Sequence, residues 1–271
     1  MLGTLSKLKS ELQAPVQYGL PLGDAVVPLN PFLGQSVQLR YTGRIFCVHC
    51  GRKTSKSFDQ GYCFPCFRSL AQCDTCIVKP EQCHFAQGTC REPDWAQQFC
   101  FRSHTVYLAN SSGLKVGITR DTQVPTRWID QGAVQALPVF NVDSRLHSGL
   151  VEITLGKWVA DKTQWQAMLK NQVTPLDLYA ERDRLLQLCA LELDVLKDQV
   201  GASALTPIAD AQVVQIEYPV LQYPVKVSSI NLDKTPLLQG TLLGIKGQYL
   251  MLDTGVINIR KYSGYEVEWT A

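Results

Sequence analysis

Ten cysteines occur in 271 residues, and nine of them fall between Cys47 and Cys100. That crowding constrains the chain more than any other feature, because a cysteine-dense stretch with little periodicity is organised by its sulfur ligands rather than by an apolar core. Cys47-x-x-Cys50 and Cys63-x-x-Cys66 form two knuckles separated by 12 residues. Two residues between cysteines let both thiolates converge on one tetrahedral ion, with backbone amides turned toward sulfur. Gly51 follows the first knuckle and Gly61 precedes the second, where tight turns are useful. The spacing predicts a structural zinc ribbon on Cys47, Cys50, Cys63 and Cys66.

A second set follows: Cys73, Cys76, Cys83, His84, Cys90, Cys100 and His104. These are more ligands than one ion needs. Cys73, Cys76, Cys83 and Cys90 are the expected ligands of a second structural Zn2+. His84 could replace Cys83, and Cys100 or His104 could replace Cys90. Four cysteines could also hold an iron–sulfur cluster. Zinc is favoured because the neighbouring ribbon is zinc-like and the spacings match no common ferredoxin pattern. His49, inside the first knuckle, is not expected to ligate, and Cys189 reads as a core thiol.

Composition is that of a globular protein, with 45% hydrophobic and 18% charged residues. Net charge is only +2, so the whole molecule does not advertise nucleic-acid binding. The charge is uneven, however. Arg40, Arg44, Arg52, Lys53, Lys56 and Arg68 surround the first knuckle with Asp59 as the one acid between them, a local patch suited to phosphates or to plain solvation. No apolar run approaches the roughly 20 residues of a membrane span, and the first residues lack a signal peptide's apolar segment. A cytoplasmic protein with no membrane partner is expected, and in that reducing compartment thiols bind metal rather than pair.

The expected fold is mixed α/β (α+β) in five parts. Residues 1–46 are a β-rich segment and 47–103 the zinc module. Residues 104–172 form a compact sheet-and-helix core, 173–205 a helical connection, and 206–271 a β-rich domain punctuated by glycines. In the core, residues 106–109 read as a strand, Asn110-Ser111-Ser112-Gly113 as a turn, and 114–118 as the return strand. A short helix over 126–131 follows Pro125, then a third strand over 134–140. Asp143 is expected to cap a helix carrying Leu146, Leu150 and Ile153. Thr174 followed by Pro175, with Asp177 at the capping-box spacing, is expected to open one long helix reaching about Val200, with Leu185, Leu188, Leu191 and Val195 as its apolar stripe. Val213 to Tyr218 reads as a strand. The two β-rich ends could share one sheet, which sequence leaves open. Residues 160–165, polar with an aromatic end, read as a substrate contact or a docking surface.

Tyr107, Lys115, Arg127 and Glu152 each have a bland reading when taken singly. Their order has another. A hairpin with Thr105-Val106-Tyr107 and Lys115-Val116-Gly117-Ile118-Thr119, a helix with Arg127-Trp128, and a helix with Leu150-Val151-Glu152 together resemble the GIY-YIG nuclease superfamily in its KIG-T form. The resemblance covers residues 104–160. It implies metal-assisted phosphodiester hydrolysis. In that scheme Glu152 binds a divalent ion (Mg2+ or Mn2+), Tyr107 orients or deprotonates the attacking water, and Arg127 stabilises phosphate charge. Lys115 neutralises the phosphate and Arg120 adds a contact. Thr105 stands where that superfamily has its first glycine and Lys115 where it has its second tyrosine. The usual helix histidine is absent, with Gln131 the nearest polar residue, and the hairpin loop is short. The whole layout also resembles a bacterial family of unknown function, through Cys83-His84, Gly88-Thr89-Cys90, the two hairpin motifs and Asp130-Gln131-Gly132-Ala133. Two functions follow: a nuclease acting on DNA, RNA or branched junctions, or a non-catalytic zinc protein that binds nucleic acid or ribonucleoprotein on a degenerate core. A third, a redox protein with an iron–sulfur centre, predicts colour. Oligomeric state is not legible.

Overall fold

The computed structural model describes residues 1–159 and 164–271; most of the 160–165 segment therefore lies outside the described residues. The fold is mixed α+β, built on three antiparallel sheets. The two β-rich ends pair in one of them. Its order runs Leu2–Thr4, Tyr265–Thr270, Ser36–Phe46, Leu237–Lys246, Tyr249–Leu252, Gly255–Asn258, with Lys53–Thr54 joining the end of Ser36–Phe46. A smaller sheet of Lys9–Glu11, Gln17–Leu22 and Ala25–Pro28 lies beside it.

The central sheet carries the hairpin. Leu205–Pro207, Gln135–Val142, His104–Asn110 and Leu114–Arg120 lie in that order, and Leu114–Arg120 forms the edge. Side chains alternate between the two faces of a strand, and here both faces are covered. Val106 and Leu108 pack with Leu137 and Val139 against the helical residues Val151, Leu155, Leu185 and Leu193. Tyr107 and Ala109 pack on the other side with Trp128, Ile129 and Ala136, in one core with Leu39, Ile245 and Val267 of the terminal sheet. Fully burying each large aliphatic side chain contributes about 1.5–3 kcal/mol, so the central sheet is held from both sides.

Three expectations about helices change. The helix after the third strand spans Arg145–Gly156, and its cap is Ser144, whose hydroxyl accepts from the His147 N–H. Asp143 instead bonds the His147 ring at 2.5 Å, and Ile153 is exposed. The long helix is two, Leu178–Leu188 and Ala190–Val200, with a break at Cys189. The first begins three residues later than Thr174 would open it, because Asp177 is itself the cap, accepting from the N–H groups of Tyr179 and Ala180. The break re-aims the second helix, so the apolar stripe consists of Leu178, Leu185, Leu193 and Leu196, while Leu191 is 84% exposed. Cys189 is a fully buried core thiol whose sulfhydryl donates to the Thr154 carbonyl. Of residues 213–218 only Val214–Gln215 pair in a sheet. Tyr218 is instead a core residue whose hydroxyl donates to the Ala133 carbonyl at 2.7 Å. Among the described residues, no helix is long and apolar enough to cross a membrane.

Candidate metal centre and hairpin–helix site

The first knuckle pair closes on itself. The ligand atoms of Cys47, Cys50, Cys63 and Cys66 all lie within 4.8 Å of one another, and the Cys50 and Cys63 sulfurs are 3.8 Å apart. A tetrahedral ion with Zn–S bonds of about 2.3 Å requires sulfurs about 3.8 Å apart, so this donor set fits zinc. Burial alone would raise the Cys47 thiol. The N–H groups of Cys50, Cys63 and His49 turn toward its sulfur and bring its pKa down to about 6. The Cys66 thiol is raised, by desolvation and by the crowding sulfurs of Cys63, Cys50 and Cys47. A cation would relieve that crowding. His49 is thus an amide donor to the site, not a ligand.

The ribbon's outer face is basic and aromatic. Arg52, Lys53, Lys56 and Arg68 are exposed there; Arg40 and Arg44 are also exposed but lie on the Ser36–Phe46 strand of the terminal sheet, with Arg44 paired to Glu266. Lys56 lies over Phe58, which stacks on Phe67, and Arg68 lies over the half-exposed Phe64.

Beyond the ribbon, Asp74, Cys76 and His84 form a second group with ligand atoms within 4.8 Å of one another. Asp74 is held there by Arg91 at 2.7 Å and by His84 at 3.4 Å. The expected second ligands do not gather as one set. Cys73 is buried and faces Asp59, Arg91, Cys47 and Glu92. Cys76 faces Cys83, Cys90 and Cys100. His104 is fully buried with its Nδ1 against the Arg102 carbonyl at 2.7 Å. Burial holds its pKa down at about 4, so the ring stays neutral.

The hairpin residues converge. Tyr107 lies opposite Gly117 in the strand pairing, and its ring crosses the place where a side chain would stand. A Cβ on Gly117 would meet Tyr107 Cζ at 2.6 Å and its hydroxyl at 2.7 Å. That close approach is the physical reason for glycine in Lys115-Val116-Gly117. The ring packs edge-on against Trp128 with centroids 5.9 Å apart. Its hydroxyl donates to Gln131 Oε1 at 3.2 Å. Burial pushes the phenol up to about 12, while the adjacent Arg127 guanidinium and Gln131 pull it down.

Glu152 is half-buried on the 145–156 helix and lies within electrostatic reach of Tyr107. Burial raises its pKa, against the pull of Arg145, Lys115 and Arg127 and with a further push from Glu81. Tyr107, Arg127 and Glu152, from the hairpin, the Thr126–Asp130 helix and the Arg145–Gly156 helix, therefore lie within electrostatic reach of one another, and Lys115 lies within reach of Glu152. Arg120 does not join them; its guanidinium lies over Phe99, toward the cysteine module.

Arg145 is the residue that sequence reading missed. It precedes Glu152 by two helical turns, a spacing that puts both on one face. Its guanidinium bonds the Ile77 carbonyl, and its backbone N–H donates to the Cys100 carbonyl at 2.7 Å. The helix can approach the cysteine module this closely because residue 149 is glycine. A Cβ there would meet Pro80 Cβ at 2.6 Å.

A family model described as protein of unknown function (DUF2797) matches residues 34–267 of the chain. No curated protein and no solved structure matches it significantly.

Proposed function

The chain belongs to the DUF2797 family, whose description carries no activity, and we propose that it is a metal-dependent nucleic-acid phosphodiesterase of GIY-YIG type with a zinc ribbon as its substrate grip. The observation that carries this reading is that Tyr107, Arg127 and Glu152, from three separate elements, lie within electrostatic reach of one another, with Lys115 within reach of Glu152. An antiparallel hairpin, a short helix, a third strand paired to the first hairpin strand and then a helix bearing the glutamate are the parts this chemistry needs.

Around Glu152 stand Lys115, Arg127 and Arg145 with Glu81 as the other acid, a balance that favours an anion such as a phosphodiester. Glu152 is the carboxylate that would hold Mg2+ or Mn2+, which when bound neutralises charge on the phosphate. Tyr107 remains a phenol at neutral pH, so its role is to orient the attacking water rather than to deprotonate it. Gln131 holds that hydroxyl in place, in the region where the superfamily carries a histidine. Arg127 and Lys115 stabilise charge as it builds on the phosphate. The exposed Lys56, Phe64 and Arg68 of the ribbon, with the half-buried Phe58 under Lys56, offer cations and aromatic faces to the nucleic acid.

A second reading rests on a different observation: the Tyr107 side chain has no exposed surface. A degenerate core that binds nucleic acid without cutting it would tolerate that. The test is cleavage of a panel of labelled DNA and RNA, including branched forms, with Mg2+ or Mn2+. Wild type and Glu152→Ala are compared at matched zinc content. Cleavage by wild type and its loss in the variant is the expected result. Cleavage by both proteins refutes the role of Glu152. Salt-sensitive binding by both, with no product, establishes the second reading.

A further inference from the structure

Four cysteines outside the ribbon line one cavity. Cys76 lies on the turn Thr75–Ile77, Cys83 follows the turn Pro80–Gln82, Cys90 lies in the next loop, and Cys100 ends the helix Pro93–Phe99. All four border a narrow cavity whose other walls include Ile77, Phe85, Trp95 and Phe101. Cys73, the first cysteine of the Cys73-x-x-Cys76 knuckle, is not on that wall. It faces Asp59, Arg91 and Cys47 instead.

The spacing of these sulfurs differs from that of the ribbon. Among the described residues, no three of Cys76, Cys83, Cys90 and Cys100 have sulfurs within 4.8 Å of one another, whereas all four ribbon sulfurs do. Thiolates that share one zinc ion must stand about 3.8 Å apart. Thiolates that each bind a different iron of one cluster stand further apart. A single ion between Asp74, Cys76 and His84 competes poorly, because Asp74 already faces the Arg91 guanidinium at 2.7 Å. A four-thiolate cluster carries net negative charge, and cations are in place to balance it. Arg145 and Arg120 both lie within electrostatic reach of Cys100. Apart from Asp74 and His84 the remaining walls are apolar, which would limit the access of water to the cluster.

We propose that Cys76, Cys83, Cys90 and Cys100 hold an iron–sulfur cluster, separate from the ribbon's zinc and packed against the Arg145 end of the glutamate helix. This goes beyond the nuclease reading and does not depend on it, since its readout is metal content rather than cleavage. Arg145 joins the two regions: it touches the Cys76–Cys100 module through Ile77 and Cys100 and reaches Glu152 from the same helix.

The full chain is to be purified without oxygen, reconstituted with ferrous iron and sulfide, and analysed for zinc, iron, acid-labile sulfide and visible absorption. The expected result is one zinc per chain plus stoichiometric iron and sulfide in a coloured protein. Cys90→Ser and Cys100→Ser should each lose the iron and keep the zinc, while Cys73→Ser keeps both. A colourless protein with two zinc ions after reconstitution overturns the proposal. So does iron that survives Cys100→Ser but is lost in Cys73→Ser. The wild-type result stands even where a cysteine variant fails to fold.

Discussion

The ribbon and the hairpin–helix site gather polar groups in opposite ways. In the ribbon, backbone amides turn toward the Cys47 sulfur and four thiols close to ion-binding distance, so every group is arranged for a bond that a cation completes. In the hairpin–helix site, burial raises a carboxylate, pushes a phenol up to about 12 and lowers an arginine. The neighbouring charges and hydrogen bonds offset that burial only in part. One region is organised for its own stability. The other holds groups at an energetic cost, which is the signature of groups kept for a task.

That contrast can be broken at its strongest point first. Cys63→Ala should abolish zinc binding by the ribbon and unfold it locally, because structural zinc contributes about 10 kcal/mol or more to small modules. Zinc analysis with amide exchange over residues 47–70 reads this, and a ribbon still protected without zinc would remove the distinction between the two regions. Next in size, Tyr107→Phe should lower cleavage at least ~10²-fold while costing only about 1 kcal/mol of stability for the lost hydrogen bond. Single-turnover rates beside denaturant titrations separate the two effects. A large stability loss with unchanged rate would make Tyr107 a core residue and nothing more.

Smaller effects sharpen the comparison. Gly117→Ala should cost about 1–3 kcal/mol, because the new methyl must displace the buried Tyr107 ring. Its cleavage rate should fall with that of Tyr107→Phe. Lys56→Ala and Arg68→Ala should each reduce the slope of log affinity against log salt by about 1, with the cleavage rate at saturating substrate unchanged.

The smallest effect has the opposite sign. Glu152 has a folded pKa above its ordinary 4.5, so the stability linked to its protonation is present below 4.5 and lost as pH rises through the folded value. Glu152→Gln should therefore melt slightly higher than wild type at pH 7–8, and the gain should vanish as pH falls below about 4.5. His104 titrates in both proteins, so its contribution cancels in the difference. Melting curves across that range decide it, and a variant less stable than wild type at pH 8 would place Glu152 among the stabilising residues.

Local patterns carried much of this into the sequence, and their limits are physical. The hairpin was legible because the apolar run Val106-Tyr107-Leu108-Ala109, the alternation of the return strand and the Ser111-Ser112-Gly113 turn agree. The ribbon was legible because ligand spacing is a short-range property. The stripe of the 178–200 region was misread because its period assumes an unbroken helix, and a break at Cys189 resets which residues face inward. Ser144 displaced Asp143 as the cap because both residues suit that position and the helix began one residue later. Arg145 and Cys100 gained their meaning only from the packing of the Arg145–Gly156 helix against the Pro80–Gln82 turn, which no local pattern encodes.

The strand Ser36–Phe46 lies between Tyr265–Thr270 and Leu237–Lys246. During synthesis on the ribosome both of these partners emerge long after it, so all but its Ile45–Phe46 end, which pairs with Lys53–Thr54, waits unpaired while the cysteine module and the central hairpin are made. Contacts so distant in sequence form late and slowly. Metal capture by the ribbon can thus precede closure of the sheet that frames it, and a nascent chain stalled before residue 237 would expose an apolar strand edge prone to aggregation.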